Sequence, residues 1–246
     1  MARSGVRGAI VAALVGATSV AAAGVTASAT SASPAGIQRP PASAFTHGRV
    51  TNQWFPLRPG TRMVYLGVKD GKRAVDVFHV TRKTKKIQGV TCRVVHDKLR
   101  LDGVLVERTS DWYAQSRSGD VWYFGERTAS LGPQGKVLTR DGSWMAGRNG
   151  ARAGIYITGA PNDGQSRPQE LFPGHAEDHF QVMDTSARVR VPLVRSAHAL
   201  LTKEWTPLEP HVVDHKYYVR DIGVVSEQSV SGPLETGRLV SITHMR

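Results

Sequence analysis

Cysteine is nearly absent from this chain. One cysteine, Cys92, among 246 residues excludes an internal disulfide, and a thiol set mid-strand between apolar neighbours is a poor nucleophile. The sequence has no G-x-S-x-G, no H-E-x-x-H, no P-loop, no G-x-G-x-x-G and no C-x-x-C. Those absences take most of the weight from serine-hydrolase, zinc-protease, nucleotide-binding and thiol-redox readings. Long helical periodicity is missing too, because Gly and Pro interrupt every candidate window. No internal repeat occurs at solenoid or propeller spacing. Acids are the scarcer charge, 20 against 32 Lys and Arg, for a formal net charge of +12.

The N-terminus carries an export pattern. Arg3 and Arg7 precede a small-residue apolar run from Gly8 to Val25, and Ala27 and Ala29 follow at A-x-A spacing. This reads as a signal peptide over residues 1–29, with cleavage after Ala23 as the alternative bond. No cysteine lies near the site, so a lipid anchor is not supported. Residues 30–47, rich in Ser, Ala and Pro, read as a disordered spacer. Residues 48–246 then form a single domain, secreted and extracellular or cell-wall associated.

What the domain does contain is alternation. Asp-Gly pairs stand at Asp70–Gly71, Asp102–Gly103, Asp141–Gly142 and Asp163–Gly164, and Asp-Gly between period-two runs signals a hairpin. In KLRLDGVLVER, Leu99 and Leu101 share a face before the turn and Val104 and Val106 share one after it. The fold class is therefore all-β, a curled antiparallel meander forming a half-open or closed barrel with little helix. A β-sandwich is the alternative. Gly147 to Gly174, dense in Gly, Pro, Asn and Asp, reads as long loops across the mouth or edge.

Three groups of residues could carry function. The aromatics Trp112, Trp122, Trp205 and Tyr217 are candidate lining for an apolar or amphiphilic ligand, with sheet packing as the bland alternative. Two acid and histidine clusters come next: His175, Glu177, Asp178 and His179, then Glu204, Glu209, His211, Asp214 and His215. Mixed imidazole and carboxylate sets suit divalent metals, but neither spacing is a metal signature. His175 and His179 are the weak metal candidates, and no cofactor is expected. Glu177, Asp178, Glu204 and His215 are the catalytic candidates if the protein is an enzyme. Third, Arg82, Lys83, Lys85, Lys86, Arg93, Lys98 and Arg100 crowd one hairpin. No stacking aromatic accompanies them past Phe78, so nucleic acid is not the expected partner. An anionic cell-wall polymer or membrane surface suits an exported basic protein better.

The stretch Thr202 to Tyr218 reads as a rigid hairpin. Leu201, Lys203 and Trp205 fall on one face, Thr202, Glu204 and Thr206 on the other, and Val213, His215, Tyr217 and Val219 share a face after the turn at Pro207 to Pro210.

The segments WFPLRPGTRMVY (54–65), DWYAQSRSGDVWYFGE (111–126), PGHAEDHFQV (173–182), KEWTPLEPHVVDHKYY (203–218) and DIGVV (221–225) resemble recurrent motifs of a family of uncharacterised secreted bacterial proteins. His175 and His211 depart from that pattern, whereas Glu177, Asp178, Glu204, Glu209, His215 and Lys216 match it. The FPL-x-PG start and G-V-V ending are also similar to curved antiparallel half-barrels that include lipoprotein carriers. That resemblance implies a fold and no activity. The combined expectation is a secreted, non-enzymatic, monomeric binding protein whose concave sheet face takes an apolar or amphiphilic ligand. A cell-envelope hydrolase and a cell-wall structural protein are the alternatives.

Overall fold

The computed structural model describes residues 37–245, so the expected signal peptide and the first part of the spacer lie outside the described residues. Two Asp-Gly pairs make the turns expected of them. Asp70 and Gly71 (φ 52° and 71°) and Asp102 and Gly103 (φ 49° and 86°) put two consecutive residues in the left-handed region, whose twist matches that of the flanking strands. The first joins β1 (Thr61–Lys69) to β2 (Lys72–Ile87), the second β3 (Val90–Leu101) to β4 (Val104–Gln115). Between β2 and β3 the same turn is made by Gln88 and Gly89, φ 47° and 79°, without the Asp-Gly signature. Asp141–Gly142 and Asp163–Gly164 lie in loops instead.

The middle of the chain gives shorter strands: β5 (Val121–Glu126), β6 (Ala129–Leu131), β7 (Val137–Thr139), β8 (Trp144–Met145), β9 (Arg152–Ile157), β10 (Ser166–Pro168) and β11 (Glu170–Leu171). Long strands resume with β12 (His179–Arg190), β13 (Arg195–Trp205), β14 (Val213–Val219), β15 (Gly223–Ser231) and β16 (Glu235–His244). All are antiparallel in one sheet, in the order β10-β12-β13-β14-β15-β16-β1-β2-β3-β4-β5-β9-β11, with β6 pairing β4 and β7, and β8 pairing β5, off this path. One sheet curled on itself excludes the sandwich.

One segment brings the two edges together. β10 ladders onto β12, while β11, next in the chain, ladders onto β9. Gln169, between them, donates its backbone N–H to Asp178 O at 2.7 Å and its Nε2 to Tyr156 O at 3.1 Å. A nearly closed barrel results, and its two edge strands are covered rather than left open. Residues 147–174, expected as loops, thus supply a wall strand and the closing segment; β9 was hidden because Gly and Asn flank it on both sides and Pro161 follows it.

The motif that opens the domain is a plug. Asn52 anchors it, donating from Nδ2 to Gly119 O and Thr158 O and accepting at Oδ1 from the N–H groups of Trp54 and Phe55. Phe55 then reaches the barrel interior, its ring 5.2 Å from Tyr113 and 4.3 Å from Tyr156. The packed chain also begins before residue 48. Phe45 is buried and packs edge-on against Trp122 and Phe124, so at least part of the expected spacer 30–47 belongs to the core.

Closure depends on close backbone approach at Gly154, where a Cβ would lie 2.3 Å from Gln169 O. Gly154→Ala is expected to destabilise the protein by about 1–3 kcal/mol, the usual cost of overpacking. A lower midpoint in urea unfolding checks it; an unchanged midpoint would show that the closing segment yields freely.

Candidate functional site

Strand alternation predicts an apolar inner face, yet the inner face is largely polar. Inward positions on β2, β3 and β4 are Asp76 and Phe78, Asp97 and Leu99, then Glu107, Asp111 and Tyr113. On the far wall they are Glu204, Asp214, Lys216, Tyr218 and Glu227. Ten of the twenty acids are buried. Five tyrosines, Tyr65, Tyr113, Tyr123, Tyr156 and Tyr218, fill the space among them.

Burying carboxylates without cations raises their pKa values. Burial pushes Asp76 up to about 6 and Asp97 well above the usual range. Neither carboxyl has a hydrogen-bond partner among the described residues, and the Asp76 charge raises Asp97 further. Across the ladder from Asp111 stands Glu126. The single Tyr123 hydroxyl lies 2.8 Å from Asp111 Oδ1 and 3.1 Å from Glu126 Oε2, so it can donate to only one of them at a time. Burial drives Asp111 to about 7 and Glu126 well above its ordinary value. Glu170 reaches about 8 by burial, moderated by a 3.0 Å hydrogen bond from Trp144 Nε1. Asp178 is raised by burial and then by Glu170.

The opposite wall keeps a compensated charge. Lys216 Nζ lies 2.7 Å from Glu204 Oε2 and 3.7 Å from Glu227 Oε1, while Tyr218 and Thr202 hydroxyls donate to Glu204 Oε1. Burial works against the ammonium, but the two glutamates hold its pKa well above the ordinary lysine value. Lys69 pairs with Glu235 at 2.9 Å.

The candidate residues separate across this wall. Glu204 lies opposite Asp214, and His215 opposite Lys203, so Glu204 points in and His215 points out. Asp178 shares the interior field of Glu204, Lys216 and Glu170. Glu177 is half-buried and accepts from the Gly174 N–H. His175 is exposed and stacks on Phe172, whereas His179 stacks on Trp205 at 5.5 Å. Among the described residues no group of three or more His, Cys, Asp or Glu is placed to hold a metal. Asp178 and Glu204 are each 4 % exposed, so a dissolved substrate has no access to them in this conformation.

The expected ligand lining is also displaced. Trp112 and Trp122 alternate with the inward Tyr113 and Tyr123, so they face outward: the Lys85 ammonium sits 3.4 Å over the Trp112 ring and Phe45 covers Trp122. Trp205 and Tyr217 are half-buried on the same outer side. The four do not line a common concave pocket, because the odd-even phase that faces inward carries the tyrosines and acids. That signal was present in the sequence: Asp76 has the parity of Phe78, and Asp111 that of Tyr113.

Outside, a cleft of about 430 Å³ is lined by His96, Lys98, Arg108, Ser110, Arg127 and Arg140, among others. No acid lines it.

No protein-family model matches the chain, and no curated protein matches it. Two solved structures are similar in outline. One is a candidate exported protein with a YmcC-like fold from Bacteroides fragilis, with 16 % identity and a TM-score of 0.44, covering 78 % of this chain and 99 % of that one. The other is a candidate lipoprotein from Parabacteroides distasonis, with 10 % identity and a TM-score of 0.39 over the same shares. At those values neither speaks to activity.

The raised carboxyls tie stability to pH. A group whose folded pKa exceeds its unfolded one contributes fully below the unfolded value and loses that contribution as pH rises through the folded value. His79, His96 and His215, lowered chiefly by burial, act in the opposite sense below about pH 6.5. The clean window is therefore pH 6.5 to 8, where Asp111 and Glu170 titrate near 7 and 8. Unfolding free energy should fall across it, by up to about 1.4 kcal/mol per pH unit for each titrating group. Urea titrations at fixed pH values measure this; a flat or rising profile would contradict it.

Proposed function

We propose that this is an exported, non-enzymatic binding protein that holds to an anionic polymer of the cell envelope through its outer surface. One observation carries the reading: burial sorts the charges by sign. Half of the acids lie inside, while among the described residues Lys69, Arg93 and Lys216 are the only buried basic side chains. The surface is consequently more positive than the formal +12 suggests, and protonated inner carboxyls do nothing to offset it. The apolar-ligand expectation gives way because the concave face is filled by Phe55, Tyr113, Tyr123, Tyr156 and Tyr218.

Binding of this kind is screened by salt. The Debye length shrinks from about 10 Å at 0.1 M to about 3 Å at 1 M. Mature protein mixed with a phosphate-rich cell-wall preparation is expected to sediment with it at low salt and to be released as salt rises. Lys83→Gln with Lys86→Gln, both exposed at the end of the β2–β3 hairpin, should release it at lower salt. No sedimentation at low salt, or retention indifferent to salt, would sink the reading.

A further inference from the structure

The outer cleft is built from elements brought together by the sheet's own register. On β3, His96 and Lys98 stand directly opposite Ser110 and Arg108 of β4. β6 then folds back on β4, pairing Ala129 with Arg108. Arg127 is fixed beside Ser110 by reciprocal backbone hydrogen bonds of 2.9 and 3.0 Å. Arg140, from the link between β7 and β8, completes the wall. The His96 ring bonds the Ser110 hydroxyl at 3.0 Å.

This arrangement is costly as it stands. Like charges directly opposite on antiparallel strands destabilise a sheet, and Lys98 faces Arg108 in that way. Neither they nor Arg127 nor Arg140 takes part in an ion pair among the described residues. A row of basic side chains continues around the barrel, since Arg62 faces His79 and His79 faces His96, although burial keeps the two imidazoles neutral at pH 7. Elsewhere the fold uses its acids to neutralise buried cations, as at Lys216 and Lys69, but here it supplies none.

We infer that the cleft is a phosphoryl-binding site, with Arg108, Arg127, Arg140 and Lys98 as its cations. The inference rests on the envelope-binding reading above and names the chemical group that surface recognises. Guanidinium forks match the oxygens of a phosphate, and several can engage one tetrahedral group from different sides. A planar carboxylate offers two oxygens and one charge, too few for four converging cations. A concave pocket with walls from β4, β6 and the β7–β8 link admits a phosphoryl group on a chain more readily than the flat face of a bilayer.

The test is calorimetric titration of wild type, Arg108→Gln with Arg127→Gln, and Arg188→Gln with Arg190→Gln. All four arginines are exposed, and the second pair removes the same charge from the far end of the β12–β13 hairpin. The probes are pyrophosphate, long-chain polyphosphate and poly-glutamate. The cleft pair should weaken pyrophosphate binding by about tenfold or more, and the distant pair by no more than about twofold. Removing the Lys98–Arg108 opposition should leave the melting temperature unchanged or raised, which separates lost binding from lost fold. Equal losses in the two pairs would overturn the site while leaving general polyanion attraction intact. Poly-glutamate binding the cleft as tightly as polyphosphate would overturn the phosphoryl assignment. A wild type that binds no polyanion at low salt would overturn both this site and the reading beneath it. Tighter binding of polyphosphate than of pyrophosphate supports a polymer as the source of the group, and equal affinity per site supports free phosphate.

Discussion

Burying ten carboxylic side chains in a barrel with few interior cations forces many of them to keep their protons. Among the described residues two lysines are paired with carboxylates inside, Lys69 with Glu235 and Lys216 with Glu204 and Glu227, yet burial still raises Glu227 well above its ordinary value. Burial likewise raises Asp97, Glu126 and Asp178 well above the usual carboxylate range. Ionising an uncompensated group in such surroundings costs far more than a surface charge. Each tyrosine hydroxyl on the inner face therefore matters, because a phenol can donate to a carboxylate or accept from a carboxylic acid. Tyr123 between Asp111 and Glu126, and Tyr218 on Glu204, illustrate both the supply of donors and its shortage.

The same constraint shapes the exterior. A barrel that stores acids inside leaves arginine and lysine to dominate outside. The local result is a cleft whose cations lack any partner among the described residues. Inner and outer faces are linked through strand parity: Asp97 points in because Lys98 and His96 point out, and Asp111 points in because Ser110 and Trp112 point out. The acidic interior and the basic cleft are thus two sides of the same strands β3 and β4.

Much of the fold was legible in the sequence. Period-two alternation and the Asp-Gly turns at 70–71 and 102–103 announced long antiparallel strands, and the parity of Glu204, Lys203 and His215 was readable from Thr202 to Tyr218. The Gln88–Gly89 turn was not, since only the backbone shows that Gln88 adopts φ 47°. Strand β9 and the closing segment were hidden because their pairing is non-local and their flanks look like loops. The site was less legible than the fold. Parity marks which residues share a face but not which face is enclosed, and the large aromatics suggested the wrong one. Lys216 was marked only by its match to the family pattern, and its role was not readable because it depends on Glu204 across the ladder and Glu227 on the next strand.

The central claim is that a subset of the interior carboxyls holds protons at neutral pH. Carbon-13 NMR of the side-chain carboxyls, recorded from pH 3 to 9 on Asp- and Glu-labelled protein, tests it most directly. The account predicts a set of carboxyls still protonated at pH 6, including Asp111 titrating near 7 and Glu170 near 8. Completion of every carboxyl titration below about pH 5, the range of solvated Asp and Glu, would contradict it.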